Sequence, residues 1–242
     1  MYSFIYSGRI LMRLIDLSDA MGQIRVEFAG CNMKCPYCVH IHQPFKEWSV
    51  EDVVNFAKQS TTKNVYLGGA EPTLQKDLLP LIEALTDIGK KVILKSNGMK
   101  PDVLEKAFPF VEGFVLEIKA PLENIQGIMA LTGMSEERST NYVALLRRSI
   151  EIAQQKWLRV WIRVIQEFIN PETIQYILPA VEGASEVMLY QFMSNPEFDL
   201  PFMGHERPTP SWKEMKELGG ILLLKVPQVR LVGKMGKMVM KI

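Results

Sequence analysis

All three cysteines of this 242-residue chain lie within eight residues, Cys31-Asn-Met-Lys-Cys35-Pro-Tyr-Cys38. The spacing, C-x3-C-x2-C, is too tight for a secreted disulfide framework, and an odd number of thiols cannot pair completely. Such clustering points to metal ligation or redox chemistry. A cubane iron–sulfur group has four irons, so three thiolates on one loop leave one corner open. An open metal position marks a catalytic rather than a structural site, by the argument used for zinc. The residues alone also admit a zinc ion with His40 or His42 as fourth ligand. Zinc sites usually take ligands from two separated knuckles, and no second Cys/His pair exists here. Unliganded core cysteines are the third reading.

A reactive loop needs elements to hold it. Short runs rich in Val, Ile, Leu and aromatics read as strands: IRVEF (24–28), NVYLG (64–68), KVILK (91–95), GFVLEI (113–118), RVWIRVI (159–165) and EVMLYQF (186–192). Helical stretches lie between them. Ser49 reads as an N-cap with Asp52 three residues on. Residues 78–88 end at Gly89, Pro101 opens a helix over 101–107, and residues 139–156 are long and amphipathic. Asn170-Pro171 opens another helix, and Pro210 opens one over 211–218 that stops at Gly219-Gly220.

Strand–helix alternation implies parallel strands joined by right-handed crossovers. Six units predict an α/β fold, a partial (β/α)6 barrel of the TIM type. The expected core is residues 1–204. Residues 205–242 follow as a helix and short C-terminal β extension of the same domain, with ILLLKV, QVRLV and KMVMKI as its strands.

Composition narrows the function. The chain is 48% hydrophobic, enough to bury a sizeable core, and its net charge of +1 gives no global pull towards nucleic acid or acidic lipid. Arg9 and Arg13 interrupt the apolar N-terminal stretch, no cleavage site follows, and no apolar run spans a bilayer. A soluble, cytoplasmic protein with no membrane partner is expected.

The cysteine spacing, with Tyr37 before the third cysteine, resembles the signature of the radical S-adenosylmethionine (radical SAM) superfamily. The resemblance implies a [4Fe-4S] cluster on Cys31, Cys35 and Cys38, and SAM chelated to the open iron. One electron then cleaves SAM to methionine and a 5′-deoxyadenosyl radical, which abstracts hydrogen from a substrate. Four further stretches are similar to family elements. Gly68-Gly69-Ala70-Glu71-Pro72 resembles the GGEP motif that binds the SAM amino group, with Ala70 in a glycine's place. That exchange is mild if φ at Ala70 stays negative. Lys95-Ser96-Asn97-Gly98 resembles the TNG element, which implies that Ser96 and Asn97 meet the SAM carboxylate or ribose. Glu117-Ile118-Lys119 resembles an Asp-x-Lys element, and alternation puts its two charges on one strand face. Arg163 matches an arginine that contacts SAM, and Gln191 is a weaker candidate for ribose or adenine. All fall at the C-terminal ends of expected strands, the rim where (β/α) barrels build active sites.

Within the superfamily, Gly8-Arg9-Ile10 and Gly22-Gln23-Ile24-Arg25 resemble the opening of glycyl-radical-enzyme activating proteins, and the likeness extends over residues 8–195. It implies a partner protein whose glycine loses hydrogen, and reduced flavodoxin or ferredoxin as electron donor. The alternatives are a small-molecule enzyme similar to the 7-carboxy-7-deazaguanine synthases, or one acting on another cofactor precursor or peptide. The synthases carry Ser or Thr after the last cysteine to bind magnesium; this chain has Val39. A non-catalytic zinc module ranks last. The segment from Lys225 to Lys241 carries five cations (Lys225, Arg230, Lys234, Lys237, Lys241) and no acid. It reads as a docking surface or as an ordinary solvated strand pair. The methionines crowding the C-terminal third, Met188 to Met240, read as core filling.

Overall fold

A computed structural model describes residues 11–40, 42–193 and 207–242. The Gly8-Arg9-Ile10 likeness, Met203 and the expected boundary at 204/205 lie outside these. The described chain opens with a hairpin that sequence reasoning missed, β1 (Met12–Ala20) and β2 (Gln23–Phe28). Its turn holds Met21 and Gly22 at φ 54° and 75°, as a two-residue hairpin turn demands. A three-residue strand, β3 (Lys46–Trp48), pairs antiparallel with β1.

The six expected barrel strands all form: β2 itself, β4 (Asn64–Gly69), β5 (Lys91–Ser96), β6 (Gly113–Ile118), β7 (Trp157–Val164) and β8 (Glu186–Gln191). They pair parallel, β2 to β4 and then in sequence to β8. Two more strands extend the sheet, β9 (Gln228–Gly233) parallel to β8 and β10 (Gly236–Lys241) antiparallel to β9. The order is β10-β9-β8-β7-β6-β5-β4-β2-β1-β3, the open sheet of a partial barrel with a C-terminal β extension.

Helices cover one face. In α1 (Val50–Gln59) the Asp52 amide donates to Ser49 Oγ and the Ser49 amide donates to Asp52, the expected capping box. Helices α2 (Leu78–Asp87) and α3 (Pro101–Ala107) match expectation. A short α4 (Ile125–Thr132) was not foreseen, and α5 (Glu136–Ala153) starts three residues early because Ser135 caps it. At Asn170-Pro171 the chain makes turns and a 3-10 segment before α6 (Leu178–Val181); Pro179, lacking an N–H, fits only a helix start. Helix α7 (Trp212–Leu222) does not stop at Gly219-Gly220, and ILLLKV holds its last two residues and the turn that follows rather than a strand. Met215, Leu218 and Leu222 fall on one buried helical face, and a Cβ on Gly219 would lie 2.8 Å from Met240 Sδ. That glycine allows close packing and does not end the helix.

Strand parity sorts the side chains. Ile24, Val26, Leu67, Leu94, Leu116, Ile162 and Leu189 point at the helices and are buried. Their neighbours Arg25, Tyr66, Lys95, Glu117, Trp161 and Tyr190 point into the lumen, so the concave face carries charge and aromatic rings.

Candidate active site

The cysteine loop leaves the C-terminal end of β2 and is held from three sides. The Ala70 amide donates to Phe28 O at 2.8 Å and the Glu71 amide to Gly30 O at 3.0 Å, tying it to the β4 turn. The Lys34 amide donates to Thr132 O at 2.8 Å, and Arg138 Nη2 to Asn32 O at 3.0 Å, tying it to α4 and α5. Asn97 Nδ2 donates to Asn32 Oδ1 at 2.7 Å and lies 3.8 Å from Cys31 Sγ. Asn32, which sequence reasoning did not single out, is thus the junction of the loop.

The three thiols are free and line one cleft at the rim of the sheet. Burial pushes Cys31 up to about 11, against the Met33 amide donating to its sulfur, and burial also raises Cys35. Both are therefore neutral thiols at neutral pH until iron displaces the proton. Among the described residues no three His, Cys, Asp or Glu side chains are gathered to hold a single ion. Three separate thiols opening on one cleft suit the corners of a larger group, and the donor set fits an iron–sulfur cluster with one open iron.

The cleft brings together most of the residues expected there. Tyr37, Gly69, Ala70, Asn97, Glu117, Lys119 and Arg163 all line it with the cysteines. Among the described non-glycine residues only Met21 has positive φ, so Ala70 replaces glycine without strain. Gly69 does need to be glycine: its φ is 83°, and a Cβ would lie 2.6 Å from the Phe28 backbone. Glu117 accepts from Lys119 Nζ at 2.7 Å and has Lys95 Nζ at 3.8 Å. Burial alone would raise its pKa, but the Lys119 and Lys95 ammonium groups, then Arg163, bring it down to about 2. Two lysines and Arg163 against one carboxylate leave the cleft cationic. Lys119 Nζ and the Arg163 guanidinium stand 5.5 and 5.2 Å from the centre of the Tyr37 ring.

Four expected residues do not line the cleft. Gly68 packs under the Tyr66 ring, where a Cβ would lie 2.4 Å from Cε1. Glu71 is fully buried and already saturated: its carboxylate accepts from Thr73 Oγ1 at 2.5 Å, Ser96 Oγ at 2.9 Å, the Asn97 amide at 2.7 Å and the Thr73 amide at 3.2 Å. Ser96, also fully buried, serves Glu71. These two brace the β4 and β5 turns from behind. Gln191 has the wrong parity, since Tyr190 takes the lumen. The Gln191 amide donates to Pro210 O and accepts from the Lys234 amide, both at 2.7 Å. Conversely, Lys95, Trp161 and His40 line the cleft without having been assigned there. Strand parity with Glu117 and Arg163 is the signal for Lys95 and Trp161. Burial, then Lys95, keeps His40 below its ordinary range, so it faces the cleft as neutral imidazole.

The profile described as "Radical SAM superfamily" matches residues 28–161, more than half of the chain. A protein of Methanocaldococcus jannaschii assigned as a glycyl-radical enzyme activating enzyme is 24% identical over 225 residues, covering 90% of this chain and 91% of its own. A 7-carboxy-7-deazaguanine synthase of Clostridium acetobutylicum is 25% identical over 189 residues, 74% of this chain and 82% of its own. In fold the chain is similar to the structure of TYW1 with a lysine-pyruvate adduct bound, at TM-score 0.60 and 17% identity, over 87% of this chain and 76% of that one. With the cysteine cleft at the rim of a partial barrel, these findings show that the chain belongs to the radical SAM superfamily, whose enzymes use a [4Fe-4S] cluster and SAM.

Proposed function

We propose that the chain is an activating enzyme, abstracting hydrogen from a glycine Cα of a partner protein. The observation that carries this is the likeness to the M. jannaschii activating-type protein over 90% of this chain, well beyond the length of the matched profile. Val39, where the deazaguanine synthases carry Ser or Thr, weighs against the small-molecule reading.

Cys31, Cys35 and Cys38 hold the cluster in this reading. When bound there, and reduced by flavodoxin or ferredoxin, the cluster would supply the one-electron reductive cleavage of SAM that makes hydrogen abstraction from a substrate possible. The chain's own residues bind and orient. Lys95, Lys119 and Arg163 supply the positive field that suits a carboxylate, and Glu117, held ionised by the lysines, suits an ammonium or ribose hydroxyls. The backbone of Gly69 and Ala70 forms the wall for the methionine moiety. Buried Tyr37 lines the cleft and packs its ring against Lys119 and Arg163.

The test is anaerobic reconstitution with iron and sulfide, then dithionite and SAM, with an assay for 5′-deoxyadenosine. A peptide containing α-deuterated glycine is added. Deuterium in the 5′-deoxyadenosine supports the glycine assignment. SAM cleavage with no transfer from any glycyl peptide or partner overturns it and leaves the superfamily chemistry intact.

A further inference from the structure

Below the cleft, the inner face of the C-terminal strands carries charge that the SAM chemistry does not use. Register places it. In β7, β8, β9 and β10, Trp161, Met188, Arg230 and Val239 stand in one row. Arg159, Glu186, Gln228 and Lys241 stand in the row beneath, and Arg163, Tyr190, Val232 and Lys237 in the row above. The opposite faces of β9 and β10 pack on α7 through Val229, Leu231, Met238 and Met240, which fixes which way the charges point.

The sum is one-sided. Arg159, Arg230, Lys237 and Lys241 face one acid, Glu186, which is buried and already bonded to Arg159, Arg230 and Gln228. Lys237 and Lys241 are exposed and have no acidic partner among the described residues. The strip runs from the β10 edge into a cavity of about 350 Å³, roughly a dozen waters' worth. Arg25 on β2, ion-paired with Glu27, forms its opposite bank, in the gap where a complete barrel would have further strands. In its wall, the Tyr66 hydroxyl, Trp161 Nε1 and Arg230 Nε are buried donors with no acceptor. Native proteins leave few such groups unpaired, and all three ask for an oxygen. Exposed Met21 lines the same cavity and exposed Val239 stands beside Arg230 in register, and both supply apolar contact.

The geometry points to a docking strip for an acidic polypeptide segment, which enters the lumen beside β10 and lays its carboxylates along Lys241, Lys237 and Arg230. The extent of the strip, from an exposed strand edge to the wall beneath SAM, favours an extended chain over a small acid. The inference rests on the proposed activating function and names the chemistry of its partner: acidic residues flanking the glycine.

The experiment uses the reconstituted full chain with SAM and fluorescein-labelled glycyl peptides carrying aspartates, lysines or neither. Anisotropy at low and high salt reads affinity. The aspartate peptide binds about tenfold or more tighter than the neutral one, and the double variant Lys237→Glu/Lys241→Glu reverses that preference. Both sites are exposed, so iron content and SAM affinity stay at wild-type values. Equal binding of all peptides, or indifference to the double variant, overturns the proposal. So does citrate binding as tightly as the aspartate peptide, which would make this a small-acid site. The glycine assignment is read separately: an aspartate peptide that docks by charge but gives up no deuterium supports the strip and removes the glycine.

Discussion

At the scale of single residues, Glu71 separates what a motif suggests from what its packing permits. The motif resemblance makes it a SAM ligand, yet its carboxylate is surrounded by four donors and fully buried. Burial raises its pKa, and the hydrogen bonds of Thr73, Asn97 and Ser96 oppose the shift. Glu71→Gln is therefore a sharp probe. Its amide nitrogen would face either the Asn97 N–H or the Thr73 N–H, donor against donor. Leaving such groups unpaired costs about 1–3 kcal/mol. The expected result is a Tm lowered by several degrees in the cluster-free protein, where SAM cannot contribute. An unchanged Tm with weakened SAM binding would instead support the ligand role. Asn97 is the reverse case, since it lines the cleft but spends its amide on Asn32 and the edge of Cys31. In Asn97→Ala the loop loses that hold, and the reconstituted protein should release iron to a chelator faster than wild type. Equal release rates would assign Asn97 to SAM alone.

At the scale of elements, the strands that carry the site were legible because β-branched runs bounded by turn residues have few other solutions. Alternation put Glu117 and Lys119 on one strand face, but that this face, with Arg163, lines the cleft is seen only in the fold. The hairpin β1–β2 was harder to see because β1 mixes polar and apolar residues as an outer strand with one wet face. Helix α7 was cut short because glycine usually signals an end, and only the tertiary neighbour Met240 shows why Gly219 sits inside. Nor could the sequence show that the α4–α5 turn supports the cysteine loop, a contact between residues about 100 positions apart. Gly133, at φ 67°, makes that turn, and a Cβ there would lie 2.9 Å from Lys34 O. Gly133→Ala adds a left-handed alanine, costing about 1–2 kcal/mol, and pushes on the loop between Cys31 and Cys35. The expected outcome is a Tm lower by about 2–8 °C together with reduced iron per chain after reconstitution. A Tm loss at full iron content would show that the turn does not govern the loop.

At the scale of the whole molecule, a net charge of +1 hides a separation of charge. Exposed acids such as Glu51, Glu83, Glu105, Glu136 and Glu151 decorate the helices, whereas the concave face of the sheet gathers lysines and arginines. Self-repulsion inside the lumen is tolerated because a few buried acids each bind two cations, Glu186 between Arg159 and Arg230 and Glu117 between Lys95 and Lys119. Glu117 therefore contributes to stability as well as to the site. Its folded-state pKa of about 2 lies below the unfolded value of about 4.3. In that window the unfolded chain binds a proton that the native chain does not, so stability rises with pH. The contribution is complete above about pH 4.3 and is lost as pH falls through 2. Lys119→Met removes the largest opposing charge and lets burial raise Glu117 towards its unfolded value. Urea midpoints measured at several pH values between 3 and 6 should fall less steeply with acid in the variant than in wild type, with the cluster absent from both. Parallel curves would mean that Lys95 and Arg163 alone keep Glu117 ionised, and that the lumen's positive field, not one lysine, sets the protonation of its acids.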